Sequence, residues 1–376
     1  MRTKRSHTKG IILFLMICFI VGYFGYRFIE NREIKINNDE VLEVFQQDQH
    51  SHYFYSKLNE KDQDTYRRLY YAFADFKTSI PLEEKKVEKV SKIFQNVLDD
   101  HPEIYYVNSE YQYIDGKQFM FIPKFDMKQD KVKTTNRAVA EKTKEVLKTA
   151  SQQNDDVDKA KVLYEYIVET VEYKEHSELD QKMTSALLDQ QSVCAGYARA
   201  YQYLLHQVNI PCAYITGDTI IETEDKPGYD GHAWNMLEVN GDYYYSDPTW
   251  GDADDEDMEH TCYGYFLMNS TDMLKIYQPD GAYEKTSSDD DLYFESFDSY
   301  MKSYDENIIS HAIQLGLKNK TRIAEIKCAN QAVYNRVKKN LESSYLGYRL
   351  LTKNGCWSDQ SLYYCIDELR VIELYY

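Results

Sequence analysis

Asn240-Gly241 stands between two runs rich in aromatic and β-branched residues, His232-Ala-Trp-Asn-Met-Leu-Glu-Val239 and Asp242-Tyr-Tyr-Tyr-Ser-Asp-Pro-Thr-Trp250. Both central residues of a type I′ turn need positive φ, which Asn and Gly supply, so this stretch is expected to form a two-residue β-hairpin. The turn then sets the register. Val239 faces Asp242, Leu237 faces Tyr244, Trp234 faces Asp247, and His232 faces Thr249. Facing residues share one side of the sheet, so His232 and Asp247 become diagonal neighbours with Cα atoms about 7–8 Å apart. An imidazole and a carboxylate can bridge that gap.

Upstream, Ala195, Ala198, Tyr201, Leu204, Leu205 and Val208 recur at helical spacing after Cys194. Asn209 sits where a left-handed cap belongs, and Pro211 stops the helix. Cys194 is thereby placed at a helix N-terminus, where free N–H groups and the positive end of the dipole favour a thiolate. A thiol at a helix start, a histidine base and an aspartate fixing its tautomer make up an activated nucleophile of the acyl-transfer type.

At these residues the chain resembles the transglutaminase-like superfamily, whose fold is papain-like. The matching pieces are Ser192-Val-Cys194-Ala-Gly-Tyr-Ala-Arg-Ala200, then Asn209-Ile-Pro-Cys-Ala-Tyr-Ile-Thr-Gly217, then Gly231-His232-Ala-Trp-Asn235, then Asp247-Pro-Thr-Trp-Gly-Asp252. The similarity runs from about Asp156 to Met268. Asn209 departs from it, since the family usually has glycine there, but Asn tolerates the left-handed conformation. The resemblance implies an α+β fold with a nucleophile helix packed on an antiparallel sheet. It also implies Cys194, His232 and Asp247 as catalytic residues. Trp234 and Trp250 flank them as candidate substrate-facing walls, with packing as the competing role. Gln190, Gln191 and Tyr173 are candidates for a side-chain oxyanion donor beside the Cys194 backbone N–H. The family's animal members are calcium-activated, yet the acidic run from Asp252 to Glu259 lacks the spacing and glycine of an EF-hand loop and reads as a solvated loop. No cofactor or metal is expected, for no Cys or His spacing suggests zinc.

The termini bear on location. Arg2, Lys4, Arg5 and Lys9 precede an uncharged apolar run from Gly10 to Tyr26, closed by Arg27. Its length, about 17 residues, is the lower limit for a membrane-spanning helix, and the basic flank points to a cytoplasmic N-terminus. A cleaved signal peptide would start similarly, but no A-x-A pattern precedes a cut. The expectation is a single-pass anchor with the remainder extracellular. A net charge of −18 argues against a nucleic-acid partner. Of seven cysteines, Cys356 and Cys365 are close enough in sequence to pair outside a cell, or to remain free as small apolar residues.

In chain order, the expected parts are a basic tail and anchor (1–28), a polar stalk (29–49), an N-terminal helical/β module (50–130), the transglutaminase-like core (131–285) and a small α+β accessory domain (286–376). Asn59 is an N-cap. A second helix starts at Leu82 and ends before His101-Pro102. Strands follow at 104–107, 111–114 and 119–122. Asp-His101-Pro-Glu-Ile-Tyr with its Tyr-rich strands resembles the module ahead of some bacterial transglutaminase-like domains, with His101 structural. Asp155 or Asp156 caps a further helix, Cys262 to Met268 is a core strand, and His206 and His260 are surface or packing residues. Beyond 286, a strand at 322–328, a helix at 331–341 and strands at 363–376 are expected. The function implied is cysteine acyl transfer on peptide or protein amides at the cell surface, by hydrolysis or by transfer to an amine. The alternative is a non-catalytic binding module that keeps the fold. Oligomeric state is not legible.

Overall fold

The computed structural model describes residues 36–47, 50, 52–175, 180–221, 228–252, 260–343 and 345–376. Among them no helix is long and apolar enough to cross a membrane. The expected anchor, with Cys18, and the acidic loop at 253–259 lie outside the described residues. The described residues divide into two compact units, one drawn from 36–47, 54–98 and 104–133, the other from 50–53, 99–103 and the described residues beyond 133.

In the first unit, helices α1 (Asn38–Gln47), α2 (Glu60–Ala74) and α3 (Val87–Asp100) accompany a sheet of β1 (Ile80–Leu82), β3 (Phe119–Phe125) and β2 (Val107–Asp115), in that order. Asn59 caps α2 by accepting from the Asp62 N–H. The segment expected as a polar stalk is instead helical over 38–47. Val41 is buried and Phe45 packs on Tyr66 and Tyr70, while Arg68 and Tyr71 donate to Asn38 and Glu40. Two apolar residues four apart were enough to seat it on α2. Leu82 ends a strand rather than opening a helix, and the Tyr-rich strand begins only at Val107, because Pro102 starts a 3₁₀ turn over Pro102–Ile104.

The second unit contains α4 (Gln129–Ser151), α5 (Asp156–Thr170), capped by Asp155, and α6 (Cys194–Gln207). A four-stranded antiparallel sheet is ordered β8 (Asp242–Ser246), β7 (Gly228–Val239), β6 (Cys212–Ile221) and β9 (Tyr277–Pro279). Asn240 and Gly241 have φ of 55° and 79°, as a type I′ turn requires, and Asn209 has φ of 60°. Short β4 (Glu172–Tyr173) and β5 (Gln191–Ser192) pair in parallel. After α7 (Pro248–Gly251), the stretch expected as a core strand at 262–268 is a 3₁₀ turn at Tyr263–Tyr265, attached to the sheet by the Tyr245–Met268 bridge. A short, largely buried apolar run does not reveal its own period, which is why the strand expectation failed there.

The C-terminal part of this unit carries its own apolar core. Its sheet is ordered β10 (Tyr300–Met301), β11 (Ile323–Cys328), β13 (Val371–Tyr375) and β12 (Leu362–Ile366). Ile309 and Ile313 of the helix Glu306–Asn319, and Tyr334, Val337 and Leu341 of the helix Gln331–Ser343, pack with Ile326, Ile372 and Leu374 of that sheet. Cys356 and Cys365 are free, as are the other described cysteines. The sheet is tied to α8 (Ser270–Ile276) by buried ions, since Lys327 Nζ lies 2.7 Å from both Asp272 and Asp291.

Candidate active site

Cys194 is the first residue of α6, preceded by extended Val193, so its side chain stands among the N–H groups that have no intrahelical partner. The first turn fits there only because residue 196 is glycine. A Cβ at Gly196 would lie 1.9 Å from Ser192 Oγ and 2.5 Å from the Asp180 carbonyl. The sheet side is fixed by Asn235, fully buried on β7, whose Nδ2 donates to the Ala198 carbonyl at 3.0 Å. Helix and hairpin are thereby held at one separation, with Ala198, Tyr214 and Ala233 packed between them.

His232 lies on β7 opposite Gly217 of β6. Its Nε2 is 2.6 Å from Asp247 Oδ2, and the Cys194 side chain is near enough to the same ring to help favour its charged form. Asp247 has no exposed surface. Its Oδ1 accepts from the N–H groups of Thr249 and Trp250, at 2.9 and 3.3 Å, so it is the N-cap of α7. The expected facing of Trp234 with Asp247 and of His232 with Thr249 is therefore not made. Ladder pairing ends at Asn235 and Ser246, because Pro248 has no N–H to continue it and the chain turns into the helix. The cap still delivers the carboxylate to the histidine.

Burial disfavours a charged imidazole, but the Asp247 charge and hydrogen bond, with a further contribution from Cys194, outweigh it and hold His232 up to about 10. A raised histidine pKa contributes stability that is fully present below the unfolded value near 6.5 and is lost as pH climbs to the folded value. The unfolding free energy of the second unit is thus expected to fall between about pH 6.5 and about pH 10, with a slope approaching one proton. Urea unfolding of wild type and His232→Gln across that window checks this. A wild-type slope no steeper than the variant's would refute it.

Two residues not singled out from sequence complete the setting. Tyr277, the first residue of β9, donates its hydroxyl to Asp247 Oδ2 at 2.5 Å and stacks on His232, ring centres 5.7 Å apart. Tyr164 of α5 donates to the Asp247 carbonyl at 3.2 Å. Neither belongs to a local motif, and only spatial neighbourhood identifies them. Trp234 is 0% exposed, stacked 4.6 Å from Tyr277 behind the histidine, so it offers no wall to a substrate. Trp250 is half-buried with its ring 6.0 Å from that of His232.

Among the oxyanion candidates, Gln190 is committed elsewhere, to Lys142 and to the Thr170 carbonyl, and Gln191 donates to Glu172. Tyr173, 56% exposed, is the one whose hydroxyl lies within electrostatic reach of Cys194. Its hydroxyl is pushed up by partial burial and next by the charge of a Cys194 thiolate. His101 is buried against Glu103 at 2.7 Å, as a structural residue. His206 is buried on the Cys212 carbonyl, and burial lowers it to about 4. His260 is not a surface residue: its side chain is buried beside Glu373 and Tyr375.

Residues 142–250, which include Cys194, His232 and Asp247, match the family model of the transglutaminase-like superfamily. No curated protein matches the sequence. Among solved structures, a candidate cysteine protease from Cytophaga hutchinsonii is 14% identical over 37% of this chain and 61% of its own, with a TM-score of 0.25. A structure described only as a TGase is 11% identical over 49% of this chain and 53% of its own, TM-score 0.26. The periplasmic domain of TgpA from Pseudomonas aeruginosa, bound to ethylmercury, is 16% identical over 36% of this chain and 57% of its own, TM-score 0.25. The chain thus spans less than two thirds of each of these three solved chains.

Proposed function

We propose that this transglutaminase-like core is a thiol acyl-transfer enzyme acting on peptide or protein amides. The reading rests on one observation: a single imidazole is held by Asp247 at 2.6 Å through Nε2, and the helix-start thiol of Cys194 is near enough to the same ring to help favour its charged form. Cys194 Sγ attacks the amide carbonyl carbon while the oxygen takes up charge facing the Cys194 N–H and the Tyr173 hydroxyl. The C–N bond then breaks. His232 gives its proton to the departing amine, and a thioester to Cys194 is left. Water attacking that thioester releases an acid; a primary amine attacking it forms a new amide. In either case His232 takes the proton from the nucleophile and returns it to the sulfur. Asp247 holds the ring in the tautomer that serves both steps, with Tyr277 positioning the carboxylate.

Trp250 is the aromatic available to shield the thioester, since Trp234 is buried. The basic-then-apolar N-terminal sequence supports placing this chemistry outside the membrane, on peptides or proteins at the cell surface.

A thiol-reactive probe is expected to label Cys194 far faster than the other cysteines, with His232→Ala slowing that labelling about 100-fold or more. Labelling of wild type at the variant's rate would favour the fold serving as a binding module. A glutamine-bearing peptide offered with a tagged amine separates the two chemistries. Mass-spectrometric incorporation of the tag reports transfer, and cleavage or deamidation alone reports hydrolysis.

A further inference from the structure

We propose that Cys262, Glu325 and Glu373 form a binding site for a zinc-type divalent metal ion. One donor atom from each lies within 4.8 Å of the others. Glu325 of β11 and Glu373 of β13 are direct partners in the antiparallel ladder, so their side chains emerge side by side on one face. Like charges directly opposite one another destabilise a strand pair, and here the pair is largely withdrawn from water. Glu373 is 4% exposed and Cys262 1%. No Lys or Arg ion pair reaches either carboxylate among the described residues; the basic side chain beside them is His260, with Nε2 3.6 Å from Glu373 Oε2.

A second observation points to a ligand. Glu373 Oε1 is buried and, among the described residues, no N–H or O–H group is placed to donate to it. Its other oxygen is already oriented, accepting from the Tyr375 hydroxyl at 2.7 Å, and that hydroxyl also sits 2.6 Å from His260 Nε2. Glu325 is oriented in turn, since its Oε1 accepts from the Tyr263 backbone N–H at 2.8 Å. Each carboxylate therefore has one oxygen fixed by a neighbour, which is how proteins align metal ligands from behind.

The donor set selects the ion. Calcium and magnesium take oxygen ligands, whereas a thiolate with two carboxylates suits zinc and its neighbours in the first transition row. Ordinary Zn–S and Zn–O bonds put tetrahedral ligand atoms about 3.5 Å apart, so the three side chains need close in by only about 1 Å. A cleft of about 740 Å³, lined in part by His260, Thr261, Tyr263 and Glu325, reaches the cluster at Glu325, with His260 beside it as a candidate fourth ligand. Cys262 follows the Asp252–Thr261 bridge, and its carbonyl shares the Tyr164 hydroxyl with that of Asp247. An ion here would fasten the loop after Asp247 to the C-terminal sheet. The proposal does not depend on the acyl-transfer reading.

The test uses the full chain carrying Cys194→Ala, which removes a competing thiol–imidazole pair. The protein is stripped with a chelator, then titrated with Zn²⁺ against a chromophoric chelator and, separately, with Co²⁺. One equivalent should bind, Co²⁺ should show a thiolate-to-metal charge-transfer absorption, and zinc should raise Tm. Adding Cys262→Ser should abolish that absorption and, like Glu373→Gln, weaken binding roughly 100-fold or more. Absence of stoichiometric binding, or binding that survives both substitutions, overturns the proposal. Should Cys262→Ser fail to fold, Glu325→Gln decides by sign. With an ion in place this variant is less stable than its parent in zinc. If it is more stable with and without zinc, the two carboxylates merely share a proton and the proposal is wrong.

Discussion

Asp247→Asn is expected to lower kcat/KM for the amide substrate about 10⁴-fold, equivalent to roughly 5.5 kcal/mol of transition-state stabilisation, with the fold intact. The fold survives because an asparagine can keep its oxygen where Oδ1 caps α7 on the N–H groups of Thr249 and Trp250. The amide nitrogen then replaces Oδ2, which in the wild type accepts from both His232 Nε2 and the Tyr277 hydroxyl. A donor now meets two donors. His232 is driven to the opposite tautomer, with its proton toward Cys194, and loses the charge that held it up to about 10. Circular dichroism should be unchanged, KM little altered and kcat nearly abolished, while the alkaline limb of the pH profile moves to lower pH. A loss of less than tenfold would remove Asp247 from the mechanism.

Lys327→Met should be the most damaging single change to the C-terminal part, at about 3–5 kcal/mol. Lys327 is 1% exposed and lies between two buried carboxylates. Asp272 retains Arg370 at 2.9 Å and Lys275 at 2.6 Å after the change. Asp291, pushed up by burial even with Lys327 present, retains no cation among the described residues. The penalty therefore falls on Asp291, and it should shrink as pH falls and that carboxyl takes up a proton. Adding Asp291→Asn should recover most of the loss at neutral pH, since asparagine keeps the cap on the Phe294 N–H. Urea midpoints of the single and double variants at pH 5 and pH 7.5 test this. An unchanged midpoint in Lys327→Met would show that the ions are not coupled as their distances imply.

The site divides by range of interaction. Asn240-Gly241 fixed a hairpin, and Asn209 with Pro211 ended a helix that starts at Cys194, because turns and caps are set by backbone dihedrals within a few residues. Those local rules put the thiol at a helix start and the imidazole on the strand, and they were legible in one dimension. How the carboxylate reaches the imidazole was not: Pro248 breaks the ladder and Asp247 arrives as a cap. Tyr277, Tyr164 and the cross-strand pair of Glu325 with Glu373 were silent too, being joined to their partners by contacts 30 to 83 residues apart in sequence. The sequence by itself determined the hairpin turn, the two ends of the nucleophile helix and the order of the three reactive side chains. Tertiary structure alone decided which buried phenols hold Asp247 and which two acids meet across a sheet. Packing selects such pairs from the shape of the whole unit, and no periodicity or turn signal encodes them.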